Sequence, residues 1–274
     1  MAVSPVDRIG AGLRAADLRG DRLLAVYLTL GDPLADPVDL AVTVAEAGAD
    51  VIEIGIPTPS TRPRGADIAA SFDRARSCPP ERAWDQARAL RTRLPDVPVL
   101  ALVYPSTVAD LGADALLATA QESGVDGLVL TDPHGGLSAE RVAATGLSAI
   151  PLLLPGADPA RRRGLESAAR HLTYQALAER TGERLDPDRV GDFAAAAAAT
   201  ATTPFLAGFG IRDEHDIRAV APHAAGVVIG SALCRGVAAA EPPARAAWAA
   251  AAVRGWKAAT VLSGTELARG GHAR

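Results

Sequence analysis

Lysine is nearly missing from this chain. Lys257 is the only one in 274 residues, and every other basic side chain of that class is arginine. Imine chemistry needs an amine, and Lys257 falls in an amphipathic stretch near the C-terminus, away from any strand end. That excludes a lysine-imine aldolase and a pyridoxal-phosphate enzyme. Histidine is sparse as well. His134, His171, His215, His223 and His272 show no HxH or HxxxH spacing, so metal-dependent aldol chemistry has no ligand set, and neither a metal nor a cofactor is expected. Two isolated cysteines, Cys78 and Cys234, give no disulfide framework and fit a reduced, cytoplasmic protein. No apolar run approaches the ~18 residues of a membrane span, and the charged N-terminus does not read as a secretory signal. A mixed net charge of -4 argues against a nucleic-acid surface.

What the sequence has is a repeated alternation. Short runs rich in Val, Ile and Leu occur at Leu24–Thr29, Val51–Ile56, Val99–Tyr104, Gly127–Thr131, Ile150–Leu154, His171–Tyr174, Phe205–Ala207 and Gly226–Ile229. Unbroken apolar runs suit parallel strands buried on both faces. Helical patterns between them suit βα units. Eight such units predict a (β/α)8 TIM barrel, and the length matches the about 250 residues of one such domain. The first turn, Gly31-Asp32-Pro33, lacks the glycine pattern of a doubly wound sheet. An extra helix is expected from Pro5 to Leu18, others start at Asp36-Pro37, Pro79-Pro80 and Asp186-Pro187, and a last one runs from about Pro243 to Val261. The barrel is expected to occupy residues 1–264, with 265–274 a disordered tail.

Working residues of such barrels sit at the C-terminal strand ends and in the loops that follow. Glu53 is a carboxylate inside an apolar run. Alternation puts it opposite Ile52 and Ile54, pointing into the barrel. A carboxylate buried there has a raised pKa, which suits acid-base work. A satisfied structural glutamate is the plain alternative. Tyr104, Asp132 and Tyr174 end their strands at the mouth, although Asp132 before Pro133 also reads as a turn residue. Late in the chain, Gly208-Phe209-Gly210-Ile211 and Gly230-Ser231 follow the seventh and eighth runs. Loops there commonly hold phosphate through backbone N–H groups and a helix N-terminus.

Taken together, Thr29-Leu30-Gly31-Asp32-Pro33, Gly48-Ala49-Asp50-Val51-Ile52-Glu53-Ile54-Gly55-Ile56-Pro57, Gly208-Phe209-Gly210-Ile211 and Gly230-Ser231 resemble the tryptophan synthase alpha chain family, from about Asp7 to Thr260. The resemblance implies a cofactor-independent carbon–carbon lyase of tryptophan biosynthesis. Such a lyase splits indole-3-glycerol phosphate into indole and glyceraldehyde 3-phosphate and passes the indole to a beta subunit that holds pyridoxal phosphate. By resemblance Glu53 is the catalytic glutamate, with Tyr174 near it. Tyr104 lines the indole pocket, Tyr27 stands at an aromatic position and Val129 forms an apolar wall. Gly210, Gly230 and Ser231 match phosphate contacts, with Gly208 and Phe209 in the same loop.

The departures are local. The family's second catalytic aspartate falls on Arg64, and an aspartate used against the beta subunit falls on Ser60. In the loop after the sixth strand only Thr181-Gly182 matches. An arginine cannot accept a hydrogen bond from an indole N–H and stays cationic. Three functions follow as expectations. The chain is a lyase of this type on indole-3-glycerol phosphate or a related phosphorylated substrate. Alternatively it is a catalytically impaired, phosphate-binding regulatory partner of a beta-type subunit. Or it is a recruited enzyme of a specialised pathway, acting on an anionic substrate held by Arg64.

Overall fold

Eight parallel strands pair in sequence order and close on themselves as a barrel. The structure, a computed structural model, describes residues 7–132, 136–178 and 189–266. The strands are β1 (Leu23–Thr29), β2 (Val51–Gly55), β3 (Val99–Val103), β4 (Gly127–Leu130), β5 (Ser148–Leu153), β6 (Thr173–Ala176), β7 (Phe205–Gly208) and β8 (Gly226–Ile229). A first helix, α1 (Arg8–Arg19), precedes them. The helices that follow are α2 (Pro37–Glu46), α3 (Ala66–Arg74), α4 (Pro80–Arg93), α5 (Pro105–Leu111), α6 (Ala113–Glu122), α7 (Ala139–Ala143), α8 (Pro159–Ala168), α9 (Val190–Ala198), α10 (Glu214–Val220), α11 (Ser231–Ala239) and α12 (Arg245–Ala258). This is the (β/α)8 architecture expected from the alternation. No helix among the described residues is long and apolar enough to cross a membrane.

Helix starts follow local chemistry. Asp36 accepts from the N–H groups of Val38 and Asp39 ahead of Pro37, and Asp158 does the same for Ala160 and Arg161 ahead of Pro159. Proline in the first turn costs no hydrogen bond, because that N–H has no partner within the helix. The sixth strand lies two residues later than its apolar run. Gln175 ended the run, yet it sits in the strand, buried. Its amide donates to the carbonyls of Leu153 and Ala176, and its Oε1 accepts from Arg162 at 2.7 Å. A satisfied amide can occupy a buried strand position that a hydrophobicity pattern rejects. At the C-terminus, residues 264–266 are helical, and the Ser263 N–H donates to the Glu266 carboxylate at 2.7 Å. Residues 267–274 lie outside the described ones.

Each strand buries both faces, against different layers. Outward residues such as Ile52, Ile54, Ala101 and Leu128 pack with the helices. Inward residues such as Ala25, Val51, Leu100, Val129, Ile150 and Leu206 fill the barrel. The single lysine belongs to the base. Lys257 Nζ lies 2.7 Å from Asp50 and 3.0 Å from Asp21, and it donates to the Arg22 carbonyl at 3.0 Å. Asp50 also accepts the Leu24 N–H, which ties α12 to the start of β1. At the other end, where the strands finish, the barrel opens into a cavity.

Candidate active site

The barrel mouth holds a cavity of about 480 Å³. Its floor is Glu53, 3% exposed. In register, Tyr27 of β1 and Leu100 of β3 flank it, so the carboxyl enters between inward-facing side chains. No hydrogen bond or ion pair among the described residues reaches that carboxyl, and burial alone pushes its pKa up to about 8. Glu53 is therefore a neutral acid at pH 7, held where its proton can be given and taken back.

Tyr27, Tyr104 and Tyr174 also line this cavity. Desolvation, then the Glu53 charge, pushes the Tyr104 and Tyr174 phenols up, so both stay protonated. Neither hydroxyl bonds to a described residue. Two glycines make room for the rings. A Cβ on Gly208 would stand 2.1 Å from the Tyr174 hydroxyl oxygen, and one on Gly55 would stand 2.0 Å from that of Tyr27. Gly208 is thus a spacer for Tyr174, outside the cavity wall.

Opposite the tyrosines lies a cradle. Phe209 has φ 62° and Gly210 φ 93°, a successive pair of left-handed residues that turns the backbone after β7. A non-glycine residue in that region carries a conformational cost and marks a constrained turn. The Phe209 ring packs edge-on to Tyr174, with centroids 5.7 Å apart. Gly230 precedes α11 with no side-chain cap, leaving the first N–H groups of a nine-residue helix without side-chain partners. The Ser231 hydroxyl, at the same helix start, is buried with no hydrogen-bond partner among the described residues. An orphaned donor beside an uncapped helix N-terminus is a ready site for a phosphate. Arginines flank the cradle. Arg212 makes a two-point ion pair with the buried Asp216, and Arg235 of α11 pairs with Asp67 of α3 at 2.9 Å.

The structure brings Glu53, Tyr27, Tyr104, Tyr174, Phe209, Gly210, Gly230 and Ser231 to one cavity. It does not bring the remaining candidates there. Arg64, expected to face the site, is exposed in the turn just before α3 and is not among the residues that line the cavity, whereas Ile68 of α3 is. Val129 is fully buried in the barrel interior and does not reach the cavity, so it supports the floor and forms no wall. Asp132 is half-buried at the end of β4, off the cavity. Thr181 and Gly182 lie outside the described residues. Leu102, Val228, Ile211, Arg212 and Arg235 line the space and were missed. Leu102 follows from strand alternation with Tyr104, and Arg235 from its place one helical turn beyond Ser231.

Among the described residues no three of His, Cys, Asp and Glu gather in a way that could hold a metal ion. Comparison with known proteins agrees with the motif reading. A family model described as tryptophan synthase alpha chain matches residues 13–260. A tryptophan synthase alpha chain from Halorhodospira halophila is 34% identical over 238 residues, covering 84% of this chain and 87% of that protein. The protein of that name from Burkholderia thailandensis is also 34% identical, covering 83% and 87%. Among solved structures, a tryptophan synthase alpha chain from Legionella pneumophila superposes with a TM-score of 0.79 at 25% identity, covering 93% of this chain and 97% of its own.

Proposed function

Because the chain belongs to the tryptophan synthase alpha chain family, we propose that it is a cofactor-independent lyase that cleaves indole-3-glycerol phosphate by a retro-aldol reaction, with Glu53 as its acid-base group. The observation that carries this reading is a buried acid without a partner among the described residues, its pKa near 8, sharing one cavity with the Ser231 hydroxyl, likewise without a described partner, and an uncapped helix start.

The substrate's phosphate sits against the Gly210 turn and the α11 start, and its ring lies among Tyr27, Leu102, Tyr104 and Tyr174. Neutral Glu53 gives its proton to the ring carbon that bears the glycerol side chain. The carboxylate so formed takes the proton of the adjacent side-chain hydroxyl. As that oxygen becomes an aldehyde, the carbon–carbon bond breaks and its electrons return to the ring. The products are indole and glyceraldehyde 3-phosphate, and Glu53 ends protonated as it began. A group near its working pH serves both transfers better than an ordinary carboxylate, which is too weak a base and too rarely an acid. By family resemblance, a beta-type subunit receives the indole.

A second reading has an observation behind it. Glu53 is the only carboxylate among the described residues lining the cavity. A site without a second anion loses part of the electrostatic help for a ring that gains positive charge. On this reading the chain is a phosphate-binding regulatory partner of a beta-type subunit. Incubating the protein with indole-3-glycerol phosphate and measuring free indole separates the two. Release of indole that Glu53→Gln abolishes supports the lyase. Binding without indole release, together with activation of a beta-type subunit, supports the regulator and rejects the lyase.

A further inference from the structure

A chain of three hydroxyls runs out of the cavity wall, and its direction can be read. The Ser71 Oγ donates to the Ile68 carbonyl at 2.7 Å, and a carbonyl can only accept. Ser71 has one hydroxyl proton, so it must accept in its 2.6 Å contact with Thr29 Oγ1. Thr29 has then spent its own proton, and in turn it accepts from the Tyr27 hydroxyl at 3.0 Å. Every proton in the chain points away from the barrel axis. The Tyr27 oxygen is left with lone pairs only.

That oxygen is well placed. It occupies the space that a side chain at Gly55 would fill, 2.0 Å from that would-be Cβ. Glu53 and Gly55 share the inward face of β2, so the oxygen stands one side-chain position mouthward of the Glu53 Cβ. Among the other polar groups of the wall, each hydroxyl and the protonated carboxyl carries a proton not committed to a described partner and can donate or accept, whereas the Tyr27 proton is committed to Thr29. Glu53 is protonated, Tyr104 and Tyr174 keep free phenolic protons, Ser231 has an unpaired hydroxyl, and the arginines cannot accept.

Resting on the lyase reading above, we propose that the Tyr27 hydroxyl oxygen is the acceptor for the substrate's ring N–H, its polarity fixed by Thr29 and Ser71. The chain thus recognises a nitrogen heteroaromatic with a neutral, oriented phenol where its family employs a carboxylate. Tyr27 touches the ring, while Thr29 and Ser71 are positioning residues that act through it.

Two uncleavable ligands test this: 3-(indol-3-yl)propyl phosphate, and its benzofuran counterpart, which has oxygen in place of N–H. Isothermal calorimetry on the full chain is expected to show the indole ligand binding about 10-fold tighter, the effect of one hydrogen bond to a buried polar group. Tyr27→Phe is expected to bring the two within about twofold. In Thr29→Val the phenol keeps its place but loses its acceptor, so its proton turns into the cavity. The ratio is then expected to fall several-fold, which a purely steric role for Tyr27 would not produce. Thermal unfolding confirms that each variant is folded, and the ratio in either variant alone decides the question. Equal binding of both ligands by the wild type, or an unchanged ratio in the variants, overturns the proposal and leaves the lyase reading standing. No binding of either ligand by the wild type overturns the lyase reading and this proposal together.

Discussion

Glu53 destabilises the fold that holds it, and the size of the effect follows from its surroundings. In the unfolded chain its carboxyl releases a proton near the ordinary value of 4.5, whereas in the fold it holds the proton to about 8. Below about pH 4.5 the group is protonated in both states and contributes nothing. As pH rises, the unfolded state gains from ionising and the folded state does not, so stability falls. The loss levels off above about pH 8, where the folded carboxyl ionises too. At ~1.4 kcal/mol per pH unit, the penalty at pH 7 is roughly 3 kcal/mol, and it is larger by a further kcal/mol or so at pH 9. Glu53→Gln keeps the shape and removes the titration. The variant is expected to match the wild type near pH 4, to exceed it by about 3 kcal/mol at pH 7, and to keep that lead or extend it at pH 9. Urea unfolding at the three pH values, followed by circular dichroism, measures the difference. A variant that is no more stable than the wild type at pH 7, or one whose advantage shrinks as pH rises, refutes the picture of a dry, unpartnered acid.

Three further outcomes follow from other contacts. Ser231→Ala removes the orphaned hydroxyl of the cradle and is expected to weaken binding of 3-(indol-3-yl)propyl phosphate about 10-fold, the worth of one hydrogen bond to an anion; calorimetry reads it, and unchanged affinity would remove Ser231 from the cradle. Arg64→Ala is expected to leave the same affinity within about twofold, because the side chain is exposed and off the cavity wall; a large loss would show that Arg64 turns inward when ligand is bound. Lys257→Met strips the cation from Asp21 and Asp50, both largely buried. Arg19 still contacts both carboxylates, so the expected cost is about 2–3 kcal/mol, below the full cost of breaking a buried pair. Chemical denaturation measures it, and a change under ~1 kcal/mol would show that Arg19 alone suffices.

The barrel was legible because parallel strands buried on both faces leave long apolar runs, and Glu53 was legible because it interrupts one. Its inward direction followed from the two-residue period of a strand. Gln175 shows where that method fails: a polar residue whose partners come from β5 and α8 looks like the end of a strand until those partners are known. Arg64 meets a related limit. Matching motifs assigns a residue to a position in the sequence, but the direction of a side chain in an irregular turn is set by what packs beside it, and Arg64 is exposed. The hydroxyl chain was hidden most completely. Tyr27 and Thr29 lie on one strand and Ser71 more than forty positions later on α3, and no spacing rule links them. What makes Tyr27 an acceptor is the Ile68 carbonyl at the far end of that chain, a backbone atom that carries no sequence signal. The buried acid and the glycine turn of this cavity can therefore be read from motifs, while the polarity of the Tyr27 hydroxyl is set by contacts that only the folded chain creates.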